Sequence, residues 1–132
     1  MATQVEGSFH NTSWQEDTIQ DLGNGAKLTR ARIGQDFSGG IEASGTWDSL
    51  MCYRVDGTAD YVGYLRLVGR LGDRSGSAVL EANGTFDGSE ARTTWSVVPG
   101  SGTDGWSGLR GTGNSAAPHG PDGSFAFDFE ID

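Results

Sequence analysis

Three glycines in the stretch PGSGTDGWSGLRGTG, residues 99–113, have the G-x-G-x-x-G spacing that cradles the pyrophosphate of a dinucleotide. That chemistry requires a helix that begins at these glycines, because the N–H groups of its first turn hold the phosphates. The residues that follow include Gly108, Gly111 and Gly113, and each interior glycine costs a helix about 1 kcal/mol. A P-loop is excluded as well, since no Lys-Ser or Lys-Thr follows the glycines. We therefore expect no nucleotide cofactor.

The other residue types that perform chemistry are scattered along the chain. His10 and His119 lie far apart in the sequence, the single cysteine is Cys52, and no spacing typical of metal ligands is present. The G-x-S-x-G motif of a serine nucleophile is absent. Neighbouring carboxylates such as Glu16 and Asp17 fall mostly on faces that we expect to be solvated. We expect no metal and no cofactor, and a carboxylate would take part in chemistry only at the mouth of a barrel.

The charge of the chain excludes two classes of partner. Nine Lys and Arg residues against eighteen Asp and Glu residues give a net charge of −9 over 132 residues. Such a charge repels nucleic acids and anionic membranes, so we expect neither as a partner. The length suits a single domain, residues 1–132. We expect no leader peptide, because the first ten residues contain no basic region followed by an apolar run. No apolar run reaches the about 18 residues that span a membrane, and we expect a cytoplasmic protein.

Turns and strands alternate along the chain. Glycines beside Asn, Asp or Ser mark the turns, and the segments between them have the length and alternation of β-strands. The clearest is 41–53, and similar apolar faces occur in 59–70, 77–86, 91–98 and 124–131. The segment 13–22 suits either a short helical turn or a loop. We predict seven or eight antiparallel strands in a barrel or a sandwich, and the glycines within strands favour the barrel because closed barrels bend there.

A set of large side chains is predicted to face the interior of this fold. Tyr53 and Tyr61 are candidate catalytic residues, because a phenol can orient or protonate a substrate. The candidate ligand-binding residues are Trp47, Met51, Trp95, Phe125 and Phe127. The rings either fill the interior as a plain core or line a pocket for one small apolar molecule, with room left by Gly45, Gly63 and Ala82.

The glycine-rich stretch resembles a segment of allene oxide cyclases and dirigent proteins, which are small eight-stranded antiparallel barrels. The matching residues are Gly102-Thr103, Trp106, Arg110 and Gly111. Over most of the chain, four segments are similar to the bacterial domain-of-unknown-function family 3224: KLTRARI, FSGGIEASGTWDSLMCYRVDGTADYVG, GDRSGSAVLEANGTFDG and TTWSVVPGSGTDGWSGLRGTG. That family is placed among the allene oxide cyclase-like barrels. The resemblance therefore implies an eight-stranded antiparallel barrel of this type, and related barrels form dimers or trimers.

Two hypotheses of function from different classes follow. In the first, the protein is a cofactor-independent cyclase or isomerase. Its lumen folds a flexible apolar substrate and excludes water, while Tyr53 or Tyr61 orients or protonates that substrate. In the second, the barrel is not an enzyme but binds a hydrophobic metabolite or serves as a subunit of an assembly. A homo-oligomer, either dimer or trimer, is compatible with both.

Overall fold

The computed structural model describes residues 3–119 and 122–131. These residues form nine strands: β1 Thr3–Gly23, β2 Ala26–Gly39, β3 Glu42–Tyr53, β4 Ala59–Leu71, β5 Arg74–Phe86, β6 Ala91–Val97, β7 Thr103–Asp104, β8 Leu109–His119 and β9 Asp122–Ile131. Each strand from β1 to β5 pairs with the next, β6 pairs with β8, β8 with β9, and β9 returns to β1, always antiparallel. The short β7 lies outside this ring and pairs with β5. The predicted eight-stranded antiparallel barrel is confirmed.

The described part of the chain contains no helix, and hence none that is long and apolar enough to cross a membrane. The cytoplasmic location predicted from the sequence is not tested by this finding and stays a prediction. The predicted homo-oligomer also stays a prediction, because the structure contains one chain.

Alternation of side chains along each strand explains which residues form the core. In the β3–β4 pair, Trp47 lies opposite Leu65 and Met51 lies opposite Tyr61, and all four are buried. Successive side chains of a strand point to opposite faces, so the residues between them face solvent. The predicted inward faces are confirmed by the buried positions along β3, β4, β5, β6 and β9.

The segment 13–22 is neither a helical turn nor a loop. It continues β1, which runs for 21 residues and stays paired with β2 as far as Gly23 opposite Ala26. The pairing of β1 with β9 ends at His10 opposite Asp122, so the later part of β1 is held by β2. This part is largely exposed on both faces. It therefore lacks the alternation that identifies a half-buried strand in the sequence.

A β-bulge in β1 changes which of its residues face the interior. The register with β2 shifts between Asn11 and Ser13, which adds one unpaired residue to β1. Gly34 on β2 makes room for the bulge, because a Cβ at that position would lie 2.6 Å from Ser13 Oγ. Beyond the shift, Trp14 and Glu16 lie opposite buried residues of β2 and turn toward the lumen.

The glycine-rich stretch closes the end of the barrel where β5 and β8 begin. Trp106 is 1% exposed there, and its Nε1 donates a hydrogen bond of 2.9 Å to the carbonyl oxygen of Arg74. A Cβ at Gly76 would lie 2.8 Å from Trp106 Cγ, and one at Gly102 would lie 2.0 Å from the Trp106 carbonyl oxygen. The glycines therefore provide the space in which the Trp106 residue packs.

Trp106→Ala should lower the free energy of unfolding by about 3–5 kcal/mol, because it removes a fully buried ring together with the indole donor. Urea unfolding followed by circular dichroism measures the change. The control is Val55→Ala in the turn after β3, where the side chain is 66% exposed and the expected change is below about 0.5 kcal/mol. Equal losses in the two variants would contradict this role of Trp106.

Candidate functional site

A cavity of about 280 Å³ occupies the end of the barrel where β3 ends and β4 begins. Side chains from β1 to β6 and from β8 surround it, and most of its wall is aromatic or aliphatic. The polar residues on the wall, apart from the tyrosines, are Asn11, Gln35, Ser49, Thr93 and Ser115. The other end of the barrel is filled by the core around Trp106, so the cavity is the space that the interior side chains leave open.

The structure brings most of the predicted site residues together at this cavity. Its wall includes both candidate catalytic residues, Tyr53 and Tyr61, and three of the candidate ligand-binding residues, Trp47, Met51 and Trp95. The other two candidates, Phe125 and Phe127, are buried but do not border the cavity. Both contact the Trp95 ring, with centroid distances of 5.8 Å and 6.4 Å. A direct role of these two residues in ligand binding stays a prediction.

Polar side chains on the wall pair with one another. Gln35 Nε2 donates to Asn11 Oδ1 over 2.8 Å, and the Tyr61 hydroxyl lies 2.8 Å from Thr93 Oγ1. Of these four residues, only Tyr61 was a candidate from the sequence. The alternation of 91–98 places Thr93 on the same face as Trp95, so Thr93 could have been predicted to face the interior. Asn11 and Gln35 lie on β1 and β2, outside the segments named above for their apolar faces.

Glu16 is the centre of a hydrogen-bonded cluster at the mouth of the cavity. Its Oε2 accepts from the Tyr53 hydroxyl at 2.8 Å and from Thr29 Oγ1 at 2.7 Å. Its Oε1 accepts from Trp14 Nε1 at 2.9 Å. We expected the Glu16-Asp17 pair to be solvated, whereas Glu16 holds the tyrosine that borders the cavity. The β-bulge that turns Glu16 inward leaves no recognisable signal in the sequence.

The indole of Trp47 carries a buried donor on the same wall. Trp47 is 8% exposed, and no described residue accepts a hydrogen bond from its Nε1. Its ring meets Tyr61 nearly edge-on, with centroids 5.3 Å apart and an interplanar angle of 64°. Buried donors in proteins are nearly always paired, so the unpaired Nε1–H of Trp47 is an exception.

Comparison with known proteins identifies the family. The sequence profile of the family described as "Protein of unknown function (DUF3224)" matches residues 5–129. The chain belongs to the DUF3224 family. Among solved structures, it is similar to the crystal structure of a DUF3224 protein of unknown function from Shewanella oneidensis MR-1, with 27% sequence identity and a TM-score of 0.77. That similarity covers 100% of this chain and 99% of the other, whereas a search of curated proteins found no match.

The two tyrosines on the cavity wall of this DUF3224 barrel, Tyr53 and Tyr61, are weak acids. Burial raises the pKa of Tyr53, and the hydrogen bond to Glu16 and the charge of Glu16 raise that pKa further. Burial also raises the pKa of Tyr61, although its hydrogen bond with Thr93 acts in the opposite direction. The two phenols therefore stay neutral at physiological pH and are weaker acids than a free tyrosine. They are better suited to orienting a ligand by hydrogen bonds than to protonating one.

The Glu16 carboxyl of the DUF3224 protein stays ionised at neutral pH. Partial burial raises its pKa, but the hydrogen bonds from Thr29, Trp14 and Tyr53 and the charge of Lys27 outweigh that effect and lower the pKa below its usual value. No group of three or more His, Cys, Asp or Glu side chains within residues 3–119 and 122–131 could hold a metal ion. As an ionised acceptor of these three hydrogen bonds, Glu16 fixes the position of the Tyr53 hydroxyl.

Glu16→Gln should destabilise the protein at pH 7, and the difference from wild type should shrink as the pH falls below about 4. A carboxyl whose pKa is lowered by folding stabilises the fold above its unfolded pKa, and this contribution is lost as the pH falls through the folded pKa. Urea unfolding across this pH range measures the difference. Asp17→Asn removes the same charge one residue along, on the exposed face, and serves as the control. A difference that does not depend on pH would contradict the pKa argument.

Proposed function

We propose that the lumen of this barrel binds one small, uncharged and mainly apolar molecule. The observation that carries the proposal is the cavity of about 280 Å³ among buried aromatic side chains. At about 30 Å³ for each water-sized group, this volume suits a ligand of roughly ten non-hydrogen atoms. Small-molecule sites in proteins have this character, with an apolar wall and a few polar groups that orient the ligand.

The wall of the cavity is held in place by its own contacts, which supports a binding site over a loosely filled core. Trp47 packs edge-on against Tyr61, and the Tyr61 hydroxyl is held by Thr93. Phe37 meets Trp95 edge-on, with ring centroids 5.8 Å apart and an interplanar angle of 77°. Collapse of the rings into the space would break these contacts. An empty apolar cavity costs stability, so a molecule that fills it is bound favourably.

Cofactor-independent isomerisation or cyclisation of the bound molecule is our second candidate function. The hydrogen bond between Tyr53 and Glu16 favours it, because this pair holds a phenol in a defined orientation at the mouth of an apolar lumen. In this mechanism the lumen selects a folded conformation of the substrate and excludes water, and Tyr53 and Tyr61 orient it by hydrogen bonds. The raised pKa of both phenols makes direct protonation the less favourable of their two predicted roles.

The allene oxide cyclase-like type of the barrel belongs to this second proposal. The resemblance of the stretch around Trp106 and Arg110 supports it, as does the ring of eight antiparallel strands. Binding of a hydrophobic metabolite without conversion is the first proposal made above. The two functions share the same cavity and differ in whether the bound molecule is converted.

Binding in the lumen is tested with toluene as a neutral apolar probe. Ligand-observed NMR should detect toluene bound to the wild-type protein, and the midpoint of thermal unfolding should rise with toluene concentration. Ala91→Phe, at the start of β6 on the cavity wall, should abolish binding by filling the space. Thr94→Phe adds the same ring on the exposed face of β6 and should leave binding unchanged. Equal binding by both variants would overturn the proposal that the lumen is the site.

Conversion is tested with the probes that bind. NMR spectra of each bound compound, followed over time, should show product signals if the barrel is an isomerase or cyclase. Tyr53→Phe should reduce the rate of conversion while binding persists, because the ring remains and only the hydroxyl is removed. Product formation at the wild-type rate in Tyr53→Phe would remove the role assigned to that hydroxyl.

A further inference from the structure

Two side-chain amides meet on the wall of the cavity. Asn11 and Gln35 lie opposite each other on β1 and β2, and both border the cavity. Gln35 is only 6% exposed, because it faces inward between Ile33 and Phe37, which border the cavity as well. Gln35 Nε2 donates a hydrogen bond of 2.8 Å to Asn11 Oδ1, and this bond joins the two amides into a pair.

The hydrogen bond uses only one end of each amide. A side-chain amide combines an acceptor oxygen with an NH2 group that has two donors. The Gln35 Oε1 oxygen and the Asn11 Nδ2 group have no partner among the described residues. Exchanging oxygen and nitrogen in both amides reverses the direction of the bond but again leaves one oxygen and one NH2 group unpaired. The pair therefore offers one acceptor and one donor under either assignment.

These unpaired atoms are open to the cavity. Among the described residues that are not exposed, Trp47 Nε1 is the sole unpaired side-chain donor or acceptor that is sealed from contact with a water molecule. The unpaired atoms of Asn11 and Gln35 are not sealed, and both side chains border the lumen. Leaving the acceptor of a buried side chain without a hydrogen bond is costly, and native proteins do so rarely. The contents of the cavity therefore supply the missing partner.

The wall of the cavity determines the charge of that partner. The described residues that border the cavity include no Lys, Arg, His, Asp or Glu. An ionised group in the lumen would lose its hydration without gaining a counter-charge. The group that reaches the amide pair is therefore neutral, and it both donates and accepts a hydrogen bond. A hydroxyl meets this requirement with a single atom, and so removes the fewest polar groups from water.

We infer that the lumen takes a neutral alcohol or phenol with an apolar remainder, and that its hydroxyl bridges the amides of Asn11 and Gln35. This inference rests on the proposed binding function and names the chemical class of the ligand. A water molecule is the competing occupant of the amide pair. A ligand hydroxyl makes the same hydrogen bonds as the water that it displaces, whereas an apolar group displaces the water without replacing those bonds. The amide pair therefore favours hydroxyl compounds.

The test uses three probes with the same number of non-hydrogen atoms. Benzyl alcohol donates and accepts a hydrogen bond, anisole only accepts, and ethylbenzene does neither. Their dissociation constants are measured by NMR titration for the wild type and for the double variant Asn11→Leu with Gln35→Met, in which apolar groups of similar shape replace both amides. The affinity of benzyl alcohol relative to ethylbenzene should fall by roughly threefold to tenfold. The relative affinity of anisole should fall less, because anisole makes fewer of these hydrogen bonds.

Two controls separate the amide pair from other polar groups. Gln20→Met with Asn114→Leu makes the same two replacements at exposed positions of β1 and β8, and should leave all three affinities unchanged. Ser115→Ala removes a hydroxyl that also borders the cavity, and should preserve the relative affinity of benzyl alcohol. A fall in Ser115→Ala as large as that in the double variant would overturn the assignment to the amide pair.

A second measurement does not depend on a variant. In the wild-type protein, the side-chain NH2 resonances of Asn11 and Gln35 should shift on addition of benzyl alcohol and much less on addition of ethylbenzene. The corresponding resonances of Gln20 and Asn114 should stay in place with either probe. Unshifted resonances of Asn11 and Gln35 when benzyl alcohol is bound would contradict the inference, whether or not the double variant folds.

The outcomes separate the inference from the function on which it rests. If toluene and all three probes fail to bind, the lumen is not a binding site, and the inference fails with that proposal. If the probes bind with the same relative affinities in the wild type and in the double variant, the binding function stands and the role of the amide pair is wrong.

Discussion

The rest of the structure depends on the closure of the sheet, in which β1 pairs with β9. This pairing runs from Thr3 opposite Phe129 to His10 opposite Asp122. An open sheet of this length would leave two unpaired edges, whereas the ring pairs each strand on both sides. Closure also sets the width of the interior, which in an eight-stranded barrel is just sufficient for side chains or for one small ligand. The core around Trp106 uses this space at one end, and the cavity occupies it at the other.

The parts of the site that lie on regular strands could be predicted from the sequence. A period of two in β3 identifies the face of Trp47, Met51 and Tyr53, because one face of each strand is buried and the other is solvated. Alternation does not give the height of a residue along the barrel axis. For this reason Phe125 was grouped with the cavity residues, although it lies in the packed part beside Phe37 and Trp95.

The residues that sequence reasoning missed follow a local irregularity. The bulge after Asn11 reverses the parity of β1, and only then do Trp14 and Glu16 face the lumen. A bulge is the insertion of one residue, and it depends on the partner strand as much as on the bulged one. Here the partner supplies Gly34, a position where a side chain would collide with Ser13. The glycines around Trp106 likewise depend on a packing partner. They leave space for the buried Trp106 residue and do not form a phosphate-binding loop.

The chemistry open to this lumen follows from how its polar groups are arranged. A group that transfers protons at neutral pH needs a pKa near that pH, and the buried phenols of Tyr53 and Tyr61 have theirs raised. The Glu16 carboxylate is ionised and engaged by three donors, which makes it a weak base. What remains is a cavity whose wall is mainly aromatic and aliphatic and carries a few neutral polar side chains. This arrangement suits the proposed binding of a neutral molecule, and in the proposed conversion the rate would come from conformation and hydrogen bonding rather than from acid or base catalysis.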